Sequence, residues 1–84
     1  MTIYVYVLKS LSSNKTYTGM SEDVNRRLKE HNSGKSKFTK SYIPWEIVYT
    51  EKCESREEAR RKEKYFKSAA GRKRIKHLLI NKSL

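Results

Sequence analysis

The sequence predicts an α+β fold, a three-stranded antiparallel sheet flanked by helices in the order β-β-α-β-α-α. Two observations predict it. A period-two stretch at the N-terminus is followed, after a turn cluster, by a second β-rich stretch, which reads as a hairpin. Two later stretches open with helix-start signals and enclose one more strand, and strands with one apolar side need helices to cover them.

The elements follow in order. Ile3, Val5 and Val7 alternate with Tyr4, Tyr6 and Leu8, which puts the β-branched set on one face and the tyrosines on the other. Ser12-Ser13-Asn14-Lys15 is a turn cluster, and Thr16-Tyr17-Thr18 suits a second strand because β-branched and aromatic residues fit a pleated surface. Ser21 is the expected N-cap of a first helix, with Glu22 and Asp23 in its first turn, where the helix dipole favours acids. That helix runs to about Asn32 and stops at Ser33-Gly34. A basic loop from Lys35 to Ile43 ends at Pro44, and Trp45 to Thr50 is the third strand. Ser55 and Glu58 form a capping box opening a helix to about Lys67. Ser68 to Gly71 breaks the pattern before a short basic helix with Ile75, Leu78 and Leu79 on its apolar side.

The 84 residues, 36% of them hydrophobic, suggest one domain over residues 1–84 with a single modest core. A chain this short buries only about 60% of the surface its unfolded form exposes. Lysine and arginine number 20 against 9 acids, a net charge of +11. A field of that sign draws polyanions, nucleic acid first and an anionic membrane surface second. The longest apolar run, Ile3 to Leu8, is far short of the ~20 residues of a spanning helix and too short for a signal-peptide core. A cytoplasmic protein is therefore expected. The lone Cys53 allows no disulfide within the chain, no Cys/His set has zinc spacing, and Cys53 reads as a small buried residue.

Several polar residues fall where apolar ones are expected. On the first helix Val24 and Leu28 define the buried stripe. Arg27 and His31 border it, whereas Arg26, Lys29 and Glu30 point away. The pair is either amphipathic side chains at the rim or part of a site. On the second helix Glu63 lies between the inward Ala59 and Phe66. A carboxylate beside a core is costly unless paired or metal-bound, and an i,i+4 pair with Lys67 is the simpler account. Tyr6 could face Tyr17 across the hairpin, a cross-strand pair contributing ~0.2–1 kcal/mol. In the loop, Lys35, Lys37 and Lys40 interleave with Phe38 and Tyr42, either to meet phosphates and bases or with the rings folded back on the core.

Taken in order, these residues resemble the GIY-YIG nuclease superfamily over nearly the whole chain, from Tyr4 to about Lys76. The two signature segments appear as Tyr4-Val5-Tyr6 and Tyr17-Thr18-Gly19. Asn25 to Gly34 resembles the Arg-Leu-x-x-His-Asn stretch of the small single-domain bacterial members. Pro44-Trp45-Glu46-Ile47-Val48-Tyr49 matches their third strand, and Ala59 to Lys64 carries the Ala-x-x-x-Glu pattern that ends in their metal-binding acid. The chain departs from the pattern at Tyr4, where the family name has Gly, and near Ile75, where many members carry Asn.

The resemblance implies metal-dependent hydrolysis of phosphodiester bonds in nucleic acid, taken as DNA. Glu63 would hold one Mg²⁺ or Mn²⁺, since one carboxylate suffices when waters and substrate phosphate complete the shell. Arg27 would clamp the phosphate, Tyr6 or Tyr17 would activate water, and His31 would take or relay the proton. A free phenol has a pKa of about 10, so a tyrosine base needs cations nearby, with Arg27 and the metal the expected ones. Gly19 would let the backbone approach the substrate. Arg26, Lys35, Lys37, Lys40, Lys67 and Lys73 are the further cations expected to meet nucleic acid. Two other classes stand beside this reading: a non-catalytic nucleic-acid-binding module on the same fold, whose binding survives loss of Glu63, and a basic membrane-binding or assembly protein indifferent to metal and nucleic acid.

Overall fold

The computed structural model describes residues 2–83. Strand β1 (Ile3–Ser10) pairs antiparallel with β2 (Thr16–Ser21) and with β3 (Trp45–Cys53), so the first strand is the centre of a sheet ordered β2-β1-β3. Helix α1 (Val24–Asn32) and a 3₁₀ turn (Thr39–Tyr42) belong to one side of the sheet, while α2 (Arg56–Lys67) and α3 (Ala69–Ser83) cover the other. The expected α+β architecture and element order are those observed. Among the described residues, no helix is long and apolar enough to cross a membrane.

The central position of β1 explains why both of its faces are apolar or aromatic. Ile3, Val5 and Val7 pack with Cys53, Ala59, Phe66 and Ile75. Tyr6 and Leu8 pack on the opposite face with Trp45, Val24, Leu28 and Ile47. Burial of each such aliphatic side chain contributes roughly 1.5–3 kcal/mol. Strand β3 serves both clusters through a shift in register: Val7 lies opposite Tyr49 and Leu8 opposite Ile47, leaving Val48 as the extra residue of a bulge. Alternation is thereby interrupted, and Val48 and Tyr49 both join the α2–α3 side, while Trp45 and Ile47 face α1.

Several boundaries differ from those expected. Ser21 closes β2 and does not cap α1. Its Oγ accepts from Asp23 N at 3.0 Å and donates to Asp23 O at 3.1 Å. Asp23 is the cap, its side chain accepting from Arg26 N at 3.0 Å, so neither Glu22 nor Asp23 lies in the first turn. The helix begins where a side chain can reach a free amide three residues on, and two residues in this segment meet that rule. Strand β3 continues three residues past Thr50, because Glu51 and Cys53 still pair with β1. Ser55 caps α2 as expected, accepting from Glu58 N at 3.1 Å.

Ser68 alone separates α2 from α3, so Ala69, Ala70 and Gly71 are helical and do not extend a break. Its hydroxyl donates to Tyr65 O at 2.5 Å and accepts from Gly71 N at 3.2 Å, closing one helix and opening the next. A turn this tight brings α3 against the end of α2. A Cβ on Gly71 would lie 2.0 Å from the Tyr65 carbonyl oxygen and 2.5 Å from Phe66 Cα. Both obstacles are backbone, so neither can rotate away. Gly71→Ala is expected to cost on the order of 2–3 kcal/mol and lower the thermal midpoint by roughly 10–20 °C. Ala70→Ser, at an exposed neighbour, should leave it nearly unchanged. Circular-dichroism melts of the two variants check this.

Candidate active site

The sheet pairing builds the site from its centre. Tyr6 lies directly opposite Gly19, and Tyr17 opposite Leu8, so the two tyrosines are diagonal neighbours and not a facing pair. Their rings are 6.3 Å apart. The register leaves Gly19 under the Tyr6 side chain: a Cβ there would meet Tyr6 Oη at 2.6 Å and Cζ at 2.8 Å. Gly19 thus makes the room in which Tyr6 lies along the sheet, whatever it does toward substrate.

Helix α1 brings its inward polar residues to Tyr6. His31, only 1% exposed, places Nε2 3.2 Å from Tyr6 Oη and Nδ1 2.9 Å from Thr39 Oγ1. The Tyr17 ring packs on the imidazole at 4.7 Å between centroids. Thr39 is fully buried and held by Trp45, whose indole N–H donates to the Thr39 carbonyl at 2.8 Å. Asn32, next along α1, clamps the helix to β3: its amide donates to Trp45 O at 3.1 Å and its oxygen accepts from Trp45 N at 2.7 Å. Trp45 therefore fixes both ends of the segment that positions His31.

Arg27 lies near enough to Tyr6 for its charge to act on the phenol, and it pairs with Glu30. Glu30, expected to point away, is instead part-buried and paired with Arg27. An i,i+3 spacing lets it follow Arg27, and the half-buried guanidinium offers a stronger partner than solvent. Glu63, on α2, is near enough for its charge to act on Tyr6, and it holds Lys67 in a loose pair at 3.7 Å. Tyr6, Tyr17, Arg27, His31 and Glu63, five positions spread along the chain, are thus brought into one neighbourhood where α1 and α2 approach β1 and β2.

Electrostatics assign these groups their resting states. Burial, opposed by the hydrogen bond from Arg27, holds the Tyr6 phenol above its ordinary range. Desolvation thus outweighs the neighbouring guanidinium at Tyr6. Burial first, and then the Arg27 charge, holds His31 below the usual histidine range. Its interaction with Tyr6 foremost raises Arg27, and Arg27 in turn lowers Glu30.

The remaining expected cations are dispersed. Arg26 is exposed and only loosely paired with Glu30 at 4.0 Å. Lys35, Lys37 and Lys40 are exposed around the loop and 3₁₀ turn, and Lys73 is exposed on α3. Lys67 does border the site, on a groove along the outer side of β2 that Lys15 and Arg72 also line. Thr39, Asn32 and Arg72 escaped the sequence reading. Asn32 stood in the quoted motif but without a role, and Arg72 was legible only as one more cation beside Lys73. Ile75 is buried in the core among Phe66 and Ala59 and contributes nothing to the site.

Residues 2–76 match the family model described as the GIY-YIG catalytic domain. The chain is 37% identical over 81 residues to a UPF0213 protein of Streptococcus agalactiae, covering 95% of this chain and 91% of that protein. It is 38% identical over 77 residues to one from Listeria welshimeri, covering 90% and 84%. The solution NMR structure of a UPF0213 protein from Bacillus halodurans superposes with a TM-score of 0.56 at 38% identity, covering 95% of this chain and 85% of that one.

The state of His31 has a consequence for stability. Because its folded pKa is depressed, the unfolded chain binds more protons once the pH falls below the ordinary value of about 6.5. The contribution of His31 is present above that value and is lost as the pH falls toward the folded one. Urea unfolding at pH 8 and pH 5.5 should show wild type weakening on acidification, with a shallower slope in His31→Gln.

Proposed function

The chain belongs to the GIY-YIG family of nucleases, and on that premise we propose that it is an endonuclease that hydrolyses phosphodiester bonds in nucleic acid, taken as DNA, with one divalent metal ion. The observation that carries the reading is the convergence of Tyr6, Arg27 and His31 beside Glu63. Neither a membrane-binding protein nor an assembly factor gives a reason for a buried phenol–imidazole pair next to a half-buried arginine and carboxylate.

Among the described residues no three of His, Cys, Asp and Glu gather into a cage. Glu63 offers one half-buried carboxylate whose partner, Lys67, is more than half exposed. That set suits Mg²⁺ or Mn²⁺ held by one carboxylate, with waters and substrate phosphate as the other ligands. When bound, the ion would stabilise charge on the phosphate and on the 3′ leaving oxygen.

The chain's own residues do the rest. Arg27, about a third exposed, exchanges Glu30 for the scissile phosphate, which its planar fork holds in two hydrogen bonds. Because the guanidinium lies near Tyr6, that phosphate and its attacking water come beside the Tyr6 hydroxyl. An Nδ1–H donated to Thr39 leaves His31 Nε2 to accept from Tyr6. Tyr6 takes the water's proton as it gives its own to Nε2, so no resting phenolate is needed, and His31 is neutral at pH 7 to receive it. Tyr17 holds the imidazole in place with its ring.

The Glu63–Lys67 pair favours one other reading, a nucleic-acid-binding module in which lysine has replaced the metal. Cleavage of supercoiled DNA with Mg²⁺ or Mn²⁺ separates the two. A nuclease cuts, and Glu63→Gln and Tyr6→Phe each lose ~10²–10⁴-fold in rate, with thermal midpoints showing that both variants fold. No cutting by wild type, with salt-sensitive binding unchanged in Glu63→Gln, would leave the binding module.

A further inference from the structure

The outer side of β2 carries a second feature. A groove of about 420 Å³ runs along it, lined by Asn14, Lys15, Tyr17, Phe38, Lys67 and Arg72 among others. It adjoins the cluster described above, because Tyr17 packs on His31 and Lys67 pairs with Glu63. Phe38 is 50% exposed, an unusual state for a phenylalanine that is not loose: its ring is backed by Tyr17 at 6.4 Å and by Tyr42 at 5.4 Å. Tyr42 is itself steadied by Trp45, and Lys15 stands over the Tyr42 ring at 5.9 Å. Among the described residues neither Lys15 nor Arg72 has a carboxylate partner.

We infer that this groove binds an unpaired nucleic-acid strand next to the scissile phosphate, with one base stacked on Phe38 and the flanking phosphates on Lys15 and Arg72. The inference deepens the nuclease reading and rests on it for the place of the scissile phosphate. The chemistry is that of a single-strand site: a charged track for the backbone and an aromatic face for a base. In a duplex both faces of each base are covered by its neighbours, so Phe38 has nothing to meet. A splayed base has an open face, and the groove volume lies within the ~300–1,000 Å³ that small-ligand sites span. The substrate class is therefore a single strand, or the unpaired arm of a branched one. Stacking and phosphate contacts are shared by DNA and RNA, so the two are separate arms of the test.

Fluorescence anisotropy in EDTA, where no metal-dependent cutting intrudes, would compare a labelled single-stranded DNA, an RNA of the same sequence and a blunt DNA duplex of equal phosphate number. Wild type should prefer a single strand to the duplex, and the tighter of DNA and RNA identifies the source. Phe38→Ala should weaken single-strand binding roughly 5- to 100-fold and leave duplex binding alone, while Phe38→Tyr should retain it. Lys15→Ala and Arg72→Ala should each lower the salt dependence of single-strand binding by ~0.7 in slope. An unchanged single-strand affinity in Phe38→Ala, or an equal loss on strand and duplex together with a lower melting midpoint, would mean that Phe38 merely covers Tyr17 and would overturn the inference. A wild type that cuts DNA, with a Phe38→Ala variant that binds and cuts like it, removes this inference alone. Phe38-dependent strand binding without any cutting removes the nuclease reading and keeps the groove.

Discussion

The hydrogen bond between Tyr6 and His31 is the constraint on which the other parts depend. It requires a tyrosine on the central strand to lie along the sheet, and Gly19 opposite it leaves the space. It requires α1 to present an imidazole inward at a fixed depth, and Asn32 sets that depth by gripping both backbone groups of Trp45. It requires the far side of the imidazole to be satisfied, since an unpaired buried nitrogen is costly, and Thr39 does this only because the Trp45 indole holds its carbonyl. Two bonds of one histidine thus tie the central strand, α1 and the 3₁₀ turn together. No buried side-chain nitrogen or oxygen among the described residues is left without a partner.

Charged residues around this pair come in neutralised couples. Arg27 leans on Glu30, and Glu63 on Lys67. A lone cation or anion cannot stand at the rim of a small core without a desolvation cost. Each has therefore been given a partner on its own helix, three or four residues away. Because these pairs are half exposed, they contribute little to stability and can be exchanged for a ligand at small cost. The same spacing that made Glu63 look like an ordinary helical ion pair is compatible with a site that opens by swapping partners.

Much of this was legible in the sequence, for identifiable reasons. Period-two alternation located β1, and the Ser55 cap located α2, since both are local rules. Inward polar residues on α1 were visible as exceptions to helical periodicity. The N-cap of α1 was misplaced because Ser21 and Asp23 both satisfy the capping rule locally, and the pairing of Ser21 with Tyr4 across the sheet decides between them. The helical start at Ala69 was hidden because a single serine can end one helix and begin another. The depth of Tyr6 had no local signal, because burial emerges only when both faces of β1 are covered. Thr39 had no signal at all, its role depending on the Trp45 indole several residues away.

The sheet order β2-β1-β3 leaves β2 as an edge strand, and unpaired strand edges invite pairing with another copy. Here that edge is bordered by Lys15, Lys67 and Arg72. A second molecule approaching edge to edge would bring the same three cations against them, on chains that each carry +11. Like charge along this edge thus opposes its pairing with a second copy, the role of a gatekeeper against edge-to-edge association.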